Sequence, residues 1–188
     1  MNRELKHLFY LIAIFFTISV VIINVHTYLS SSKFIPDASR TSQVASANRL
    51  RRPNRNRPSE NKAYPNLRKQ SHLRIIAVAK LQKVFVLSGH RVIYTMHARV
   101  NASPQATSSQ GHFGQQINYV GGRQALGASN WVALNHHLYF VVPATIGQHA
   151  VAKNWLKQNF NFPRTIQISQ ADAHWLQSLP KGTPVTIR

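Results

Sequence analysis

The chain contains no cysteine. That excludes disulfides, thiolate metal ligands and a cysteine nucleophile. Acidic residues are nearly as scarce: Asp and Glu number 4 against 23 Lys and Arg, a formal net charge of +19. Such a balance bears on solubility and on anionic partners rather than on fold. Between residues 8 and 32 charge is missing altogether.

That uncharged stretch is the first positive feature. LFYLIAIFFTISVVII, Leu8 to Ile23, continues through Val25 towards Leu29. About 20 apolar residues suffice to cross a bilayer, so 8–32 is predicted to be a single transmembrane signal anchor after a short N-terminal segment, 1–7. No A-x-A-like cleavage site follows Leu29, which disfavours a removed signal peptide. Flanking charge leaves orientation open, because Arg3 and Lys6 oppose Glu4 while Lys33 and Arg40 oppose Asp37.

Residues 33–62 are rich in Ser, Asn, Arg and Pro, and apolar residues are too sparse for a core, which predicts a basic, disordered linker. Five of its arginines cluster between residues 49 and 57: Arg49, Arg51, Arg52, Arg55 and Arg57. Two readings stand side by side. One is a polyanion-binding tether for teichoic acid, phospholipid head groups or nucleic acid. The other is a solvated spacer extended by self-repulsion. Nucleic acid is the less favoured partner, since Phe34 is the only aromatic between Lys33 and Lys62 to stack on a base.

From Ala63 the pattern becomes that of a mostly β domain, 63–188. Leu73 to Ala79 is a β-rich run. Val84–Leu87 and Val92–Met96 flank Ser88-Gly89-His90-Arg91 as a hairpin. Residues 101–111 are loop-like, and Gly121, Gly122 and Gly127 suggest a mobile connection. A second hairpin is expected from Trp131–Leu134 and Leu138–Val142 around Asn135-His136-His137. His149 to Phe160 reads as a helix with Val151, Trp155 and Leu156 inward. Thr165 to Ile168 alternates as a half-buried strand. Ser169-Gln170-Ala171-Asp172 then matches a capping box, with Ala171, Trp175, Leu176 and Leu179 on one face. Pro180-Lys181-Gly182 ends the helix, and Val185-Thr186-Ile187 is a closing strand.

Several of these segments resemble the L,D-transpeptidase (YkuD-type) catalytic domain. SQADAHWLQSLPKGTPVTI is similar to the end of that domain. Tyr64-Pro65-Asn66-Leu67, Lys80-Leu81-Gln82-Lys83-Val84 and Val92-Ile93-Tyr94-Thr95-Met96 resemble its opening in lactic-acid-bacterial members. Gly127-Ala128-Ser129-Asn130-Trp131-Val132 resembles E-G-A-x-Y-W-V without its glutamate. The family's active-site strand carries S-H-G-C-[VI]-R-[LM]-[ST]. Ended on Ser169 without gaps, it puts the histidine on Pro163, the glycine on Arg164, the nucleophilic cysteine on Thr165 and the arginine on Gln167. The upstream histidine of L-F-H-S-V-P falls on Phe140.

The resemblance implies a β-sandwich with two short helices and a site acting on peptidoglycan stem peptides through an acyl-enzyme. A threonine hydroxyl does not ionise as a thiol does and needs a well-placed base. With nucleophile, base and motif arginine all changed, the expectation is a protein without acyl-transfer activity. Thr165 then reads as a strand residue and Ser169 as a helix cap. His136, His137, His149 and His174 read as surface residues, and no metal or cofactor is expected. The domain carries 13 Lys and Arg against Asp172 alone, which suits anionic polymers or stem carboxylates.

The expected protein is anchored in the cell membrane of a Gram-positive type surface. Its C-terminal domain lies outside, as the resemblance implies, and binds peptidoglycan or anionic wall polymer. Two alternatives stay open: an active transpeptidase with a rearranged site, and a polyanion-binding surface protein unrelated to peptidoglycan.

Overall fold

The structure, a computed structural model, describes residues 10, 12, 14–19, 35–121, 124–147, 149–157 and 162–188. The chain divides into two units, Met1–Pro36 and Asp37–Arg188.

In the first unit, Tyr10, Ile12 and residues 14–19 are helical, and most of the predicted span 8–32 lies outside the described residues. The large side chains there are exposed, Phe15 by 74% and Phe16 by 71%. Ser19 Oγ donates to the Phe15 carbonyl one turn back at 2.8 Å, so its hydroxyl is satisfied within the helix. Among the described residues, no helix is long and apolar enough to cross a membrane.

The second unit is mostly β with few helices. Among the described residues ten strands follow one another: β1 (Leu73–Val78), β2 (Lys83–Ser88), β3 (Arg91–His97), β4 (Arg99–Asn101), β5 (Gln105–Gly121), β6 (Gln124–Leu134), β7 (Leu138–Ile146), β8 (His149–Ala150), β9 (Thr165–Gln167) and β10 (Pro184–Ile187). They pair in the order β3-β2-β1-β10-β5-β6-β7-β9-β4, with β8 on β7. Among the described residues two α-helices accompany them, α1 (Arg40–Arg49) and α2 (Gln170–Leu176).

The long strand β5 joins the two halves. Gln105 to Ser108 pair with β10, and Ser109 onwards pair with β6. The register shifts between Ser109 and Phe113, where Gly111 takes φ +73°. Such an irregularity lets a strand bend from one sheet into the next. Both halves feed one buried cluster: Ile75, Val84, Tyr94 and Met96 from the first, Val132, Leu134, Phe140 and Ile166 from the second, with Ala173, Trp175 and Leu176 of α2. Each large side chain taken fully out of water contributes about 1.5–3 kcal/mol. A smaller cluster of Leu126, Ala128, Val141 and Phe162 packs with Trp131, Tyr139 and Ile146.

Four expectations need correction. The stretch predicted as a disordered linker, 33–62, belongs from Asp37 onwards to the compact unit. It contains α1 and a strap closed by the Leu50–Glu60 bridge and by Arg51 N–H to the Ser59 carbonyl at 2.8 Å. The loop expected at 101–111 is already strand from Gln105. Gly127 is an internal β6 residue, where an added Cβ would collide with Thr145 Oγ1, so it serves close packing rather than mobility; Gly122 lies outside the described residues. In place of a helix from His149, β8 is followed by a 3₁₀ turn, Trp155–Lys157. Val151 and Trp155 are nevertheless buried.

Candidate functional site

Among the described acidic residues, Glu60 and Asp172 are wholly buried. Glu60 is 0% exposed. Arg49 Nε reaches its carboxylate at 2.7 Å, the Thr95 N–H at 2.7 Å, and the Ser46 hydroxyl also donates to it. Asp172, also 0% exposed, accepts from Ser59 Oγ at 2.5 Å, Ser59 N–H at 3.3 Å, Tyr64 OH at 2.9 Å, Tyr94 OH at 3.1 Å and Ser169 Oγ at 2.8 Å. Ser169 in turn accepts from the Asp172 N–H at 3.2 Å, the helix cap read from the sequence. Burial and then the Asp172 charge push the Tyr64 and Tyr94 phenols far up, so both stay protonated donors. Tyr64, Tyr94 and Trp175 pack as an aromatic trio, with centroids 4.8–5.1 Å apart. The two acids therefore hold the strap and α2 to the sheet, and neither has surface open to solvent.

The arginines of the strap divide. Arg49 is committed to Glu60. Arg55 is half-buried: its Nε donates to the Pro143 carbonyl at 2.7 Å, its N–H to the Lys153 carbonyl at 3.0 Å, and its own carbonyl accepts from the Gln170 N–H at 2.6 Å. Burial lowers its pKa. Arg51, Arg52 and Arg57 are exposed, with Arg51 donating to Asn61 Oδ1. The five residues thus do not act as one exposed run. His97 Nε2 donates to the Arg51 carbonyl at 2.8 Å, and burial holds that imidazole below its ordinary value despite this bond.

The family-motif positions also separate. Parallel pairing sets Tyr139 beside Thr165 and Phe140 beside Ile166. Successive side chains on a strand point to opposite faces. Phe140 and Ile166 enter the main core, while Tyr139 packs on the smaller cluster. Thr165 lies on Tyr139's face of the sheet, opposite to Phe140. Groups placed at 140 and 165 in this register do not meet across one cleft. Thr165 is 0% exposed, and its hydroxyl donates to the Phe162 carbonyl at 2.6 Å. Gln167 is equally buried, and both its amide atoms lack a hydrogen-bond partner. Phe140 and Phe162 are fully buried, and Phe160 lies outside the described residues.

Pro163 and Arg164 are different: both are exposed. They line an open cleft of about 880 Å³ together with Asn101, Gln105, His136 and His137. The cleft lies where β7 and β9 begin and where β4 hands over to β5. The Tyr139 N–H donates to the Arg164 carbonyl at 3.3 Å, which ties the Pro163-Arg164 turn to β7. Among the described residues lining it there is no Asp or Glu. Sequence reading assigned His136 and His137 to the surface; they are exposed, but on this cleft. His149, on β8, does not line it, and His174 is exposed on α2.

Neither the family models nor the curated proteins match the chain. Solved structures resemble it at low identity. One is Mycobacterium tuberculosis L,D-transpeptidase 1, at 13% identity and TM-score 0.46 over 61% of this chain and 60% of that one. Another is the L,D-transpeptidase from Mycobacterium smegmatis, at 12% and 0.47 over 63% and 59%. A third is the catalytic domain of the E. faecium L,D-transpeptidase acylated by ertapenem, at 10% and 0.46 over 63% of this chain and 98% of that one. The chain thus spans about 60% of the length of the mycobacterial structures.

Proposed function

We propose that this is a membrane-anchored, extracytoplasmic L,D-transpeptidase-like protein that binds peptidoglycan or an associated wall polymer without acyl transfer. Residues 8–32 are the anchor in this reading. The observation that carries it is the state of Thr165: fully buried, with its hydroxyl committed to the Phe162 carbonyl. An activated nucleophile needs a base within hydrogen-bond reach and an open approach for the substrate. The fold order and the motif matches at both ends of the domain support a wall ligand. The surplus of cations supports a ligand carrying negative charge.

The test of the non-acylating part is an intact-mass measurement. Full-length protein in detergent is incubated with a carbapenem, the class that acylates the E. faecium domain. The expected spectrum holds the unmodified mass alone. An adduct mapped to Thr165 or Ser169 would overturn the proposal and favour a rearranged transpeptidase.

A further inference from the structure

We infer that the cleft lined by His136, His137 and Arg164 is a binding site for an oxyanion group, a carboxylate or a phosphate, carried on a ligand of short-peptide size. This rests on the wall-binding reading for the ligand's source and on the cleft's own chemistry for its charge.

Three observations converge. The first is the backbone. His136 (φ +62°), His137 (φ +55°) and Arg164 (φ +57°) all occupy the left-handed region, and all three line the same cleft. Non-glycine residues are uncommon there, and such conformations persist where surrounding structure enforces them, often at ligand sites. Here the β6–β7 turn and the Tyr139 N–H bond to the Arg164 carbonyl supply that enforcement. A glycine would occupy any of the three positions at less cost. Histidine is among the residues that tolerate this region, so the backbone cost falls mainly on Arg164.

The second observation is the donor set. A guanidinium offers a rigid fork matched to carboxylate or phosphate, and imidazoles add further N–H donors. Asn101 also lines the cleft, and its Nδ2 is buried with no hydrogen-bond partner. An accepting oxygen brought within reach would satisfy that N–H₂. No carboxylate among the described lining residues competes for these donors. The third observation is size. A volume of about 880 Å³ lies within the range that holds small organic ligands, and far exceeds a lone phosphate.

The variant that tests this removes charge while keeping the backbone. Asparagine tolerates the left-handed region better than other non-glycine residues. The triple substitution His136→Asn, His137→Asn and Arg164→Asn therefore leaves the turns intact, as an unchanged melting temperature would verify. Full-length protein in detergent is titrated with acetyl-dialanine, its C-terminal amide and glycerol phosphate. The wild type is expected to bind an anionic probe, and the triple variant to bind it about tenfold or more weakly.

Preference for acetyl-dialanine over its amide assigns a peptide carboxylate; preference for glycerol phosphate assigns a phosphate polymer. Binding of the amide equal to that of both anionic probes, equal binding by a folded triple variant, or no binding of any probe overturns the site. If Arg164→Asn alone proves misfolded, His136→Asn with His137→Asn decides in the same titration. A chain that sediments with wall material yet binds no probe would lose the cleft assignment and keep the wall reading. Probe binding without wall sedimentation would do the reverse.

Discussion

Asp172→Ala is expected to be the most damaging single substitution outside the apolar core. Asp172 has no exposed surface and gathers donors from four side chains and one backbone N–H. Truncation strands those donors where water does not reach them, and each unsatisfied buried donor costs about 1–3 kcal/mol. Relaxation of the hydroxyls recovers part of this, leaving a net loss of about 3–5 kcal/mol. For a chain of this size that lowers the melting temperature by roughly 6–20 °C. Asp172→Asn keeps one acceptor oxygen and the shape, and is expected to lose less.

The control is Asp37→Ala. Asp37 pairs with Arg188 at 2.7 Å on the surface, with side chains 39% and 42% exposed. An exposed pair of this kind contributes about 1 kcal/mol or less. Melting curves of Asp172→Ala and Asp37→Ala that coincide would show that the carboxylate does not staple strap, sheet and helix together.

The second large effect is expected where the family histidine would be restored. Phe140→His replaces a fully buried ring of the main core with an imidazole. The substitution loses apolar contacts and buries an N–H with no acceptor among its apolar neighbours, a cost of about 3–5 kcal/mol. Nothing is gained in return. Residue 165 lies on the other face of the sheet, so adding Thr165→Cys creates no thiol–imidazole pair. The double variant is expected to unfold at a lower temperature and to take up no carbapenem. A double variant as stable as the wild type and acylated in proportion to protein would refute this register of the two strands.

These predictions turn on features that the sequence revealed unevenly. The β2–β3 hairpin was legible because apolar runs flank Gly89, which takes φ +57° at the turn. The capped helix was legible from Ser169 and Asp172, and the closing strand from Val185 to Ile187. Ala171 was placed inward in place of Ala173, which is the fully buried one. The strap was missed because its order is polar. Ser46, Ser59, Arg49 and Glu60 are buried or pinned by hydrogen bonds to β3 and α2. A composition rule that counts apolar residues does not register such pairing.

Thr165 to Ile168 read as half-buried, yet all four are buried, because the segment before β9 covers the second face with Phe162. The cleft was the least legible of all. Its residues come from three separate turns, 101–105, 136–137 and 163–164, which only the tertiary fold brings together. The one local signal was the pair His136-His137 at a hairpin turn. A doublet of residues that tolerate the left-handed region was there to be noticed.

The most direct test of the binding account is sedimentation of the full-length protein with peptidoglycan sacculi, before and after removal of their anionic polymers, across a salt series. A cleft presenting one guanidinium predicts binding that survives stripping and weakens only gently with salt. A cloud of exposed arginines predicts a steep decline that grows with the number of charges neutralised. Retention on stripped sacculi at high salt is the result expected here. Binding that collapses steeply with salt would contradict a cleft-centred account and leave the arginine surface as the agent; binding lost on stripping but only gently salt-dependent would contradict a peptidoglycan ligand and assign the cleft to the anionic polymer.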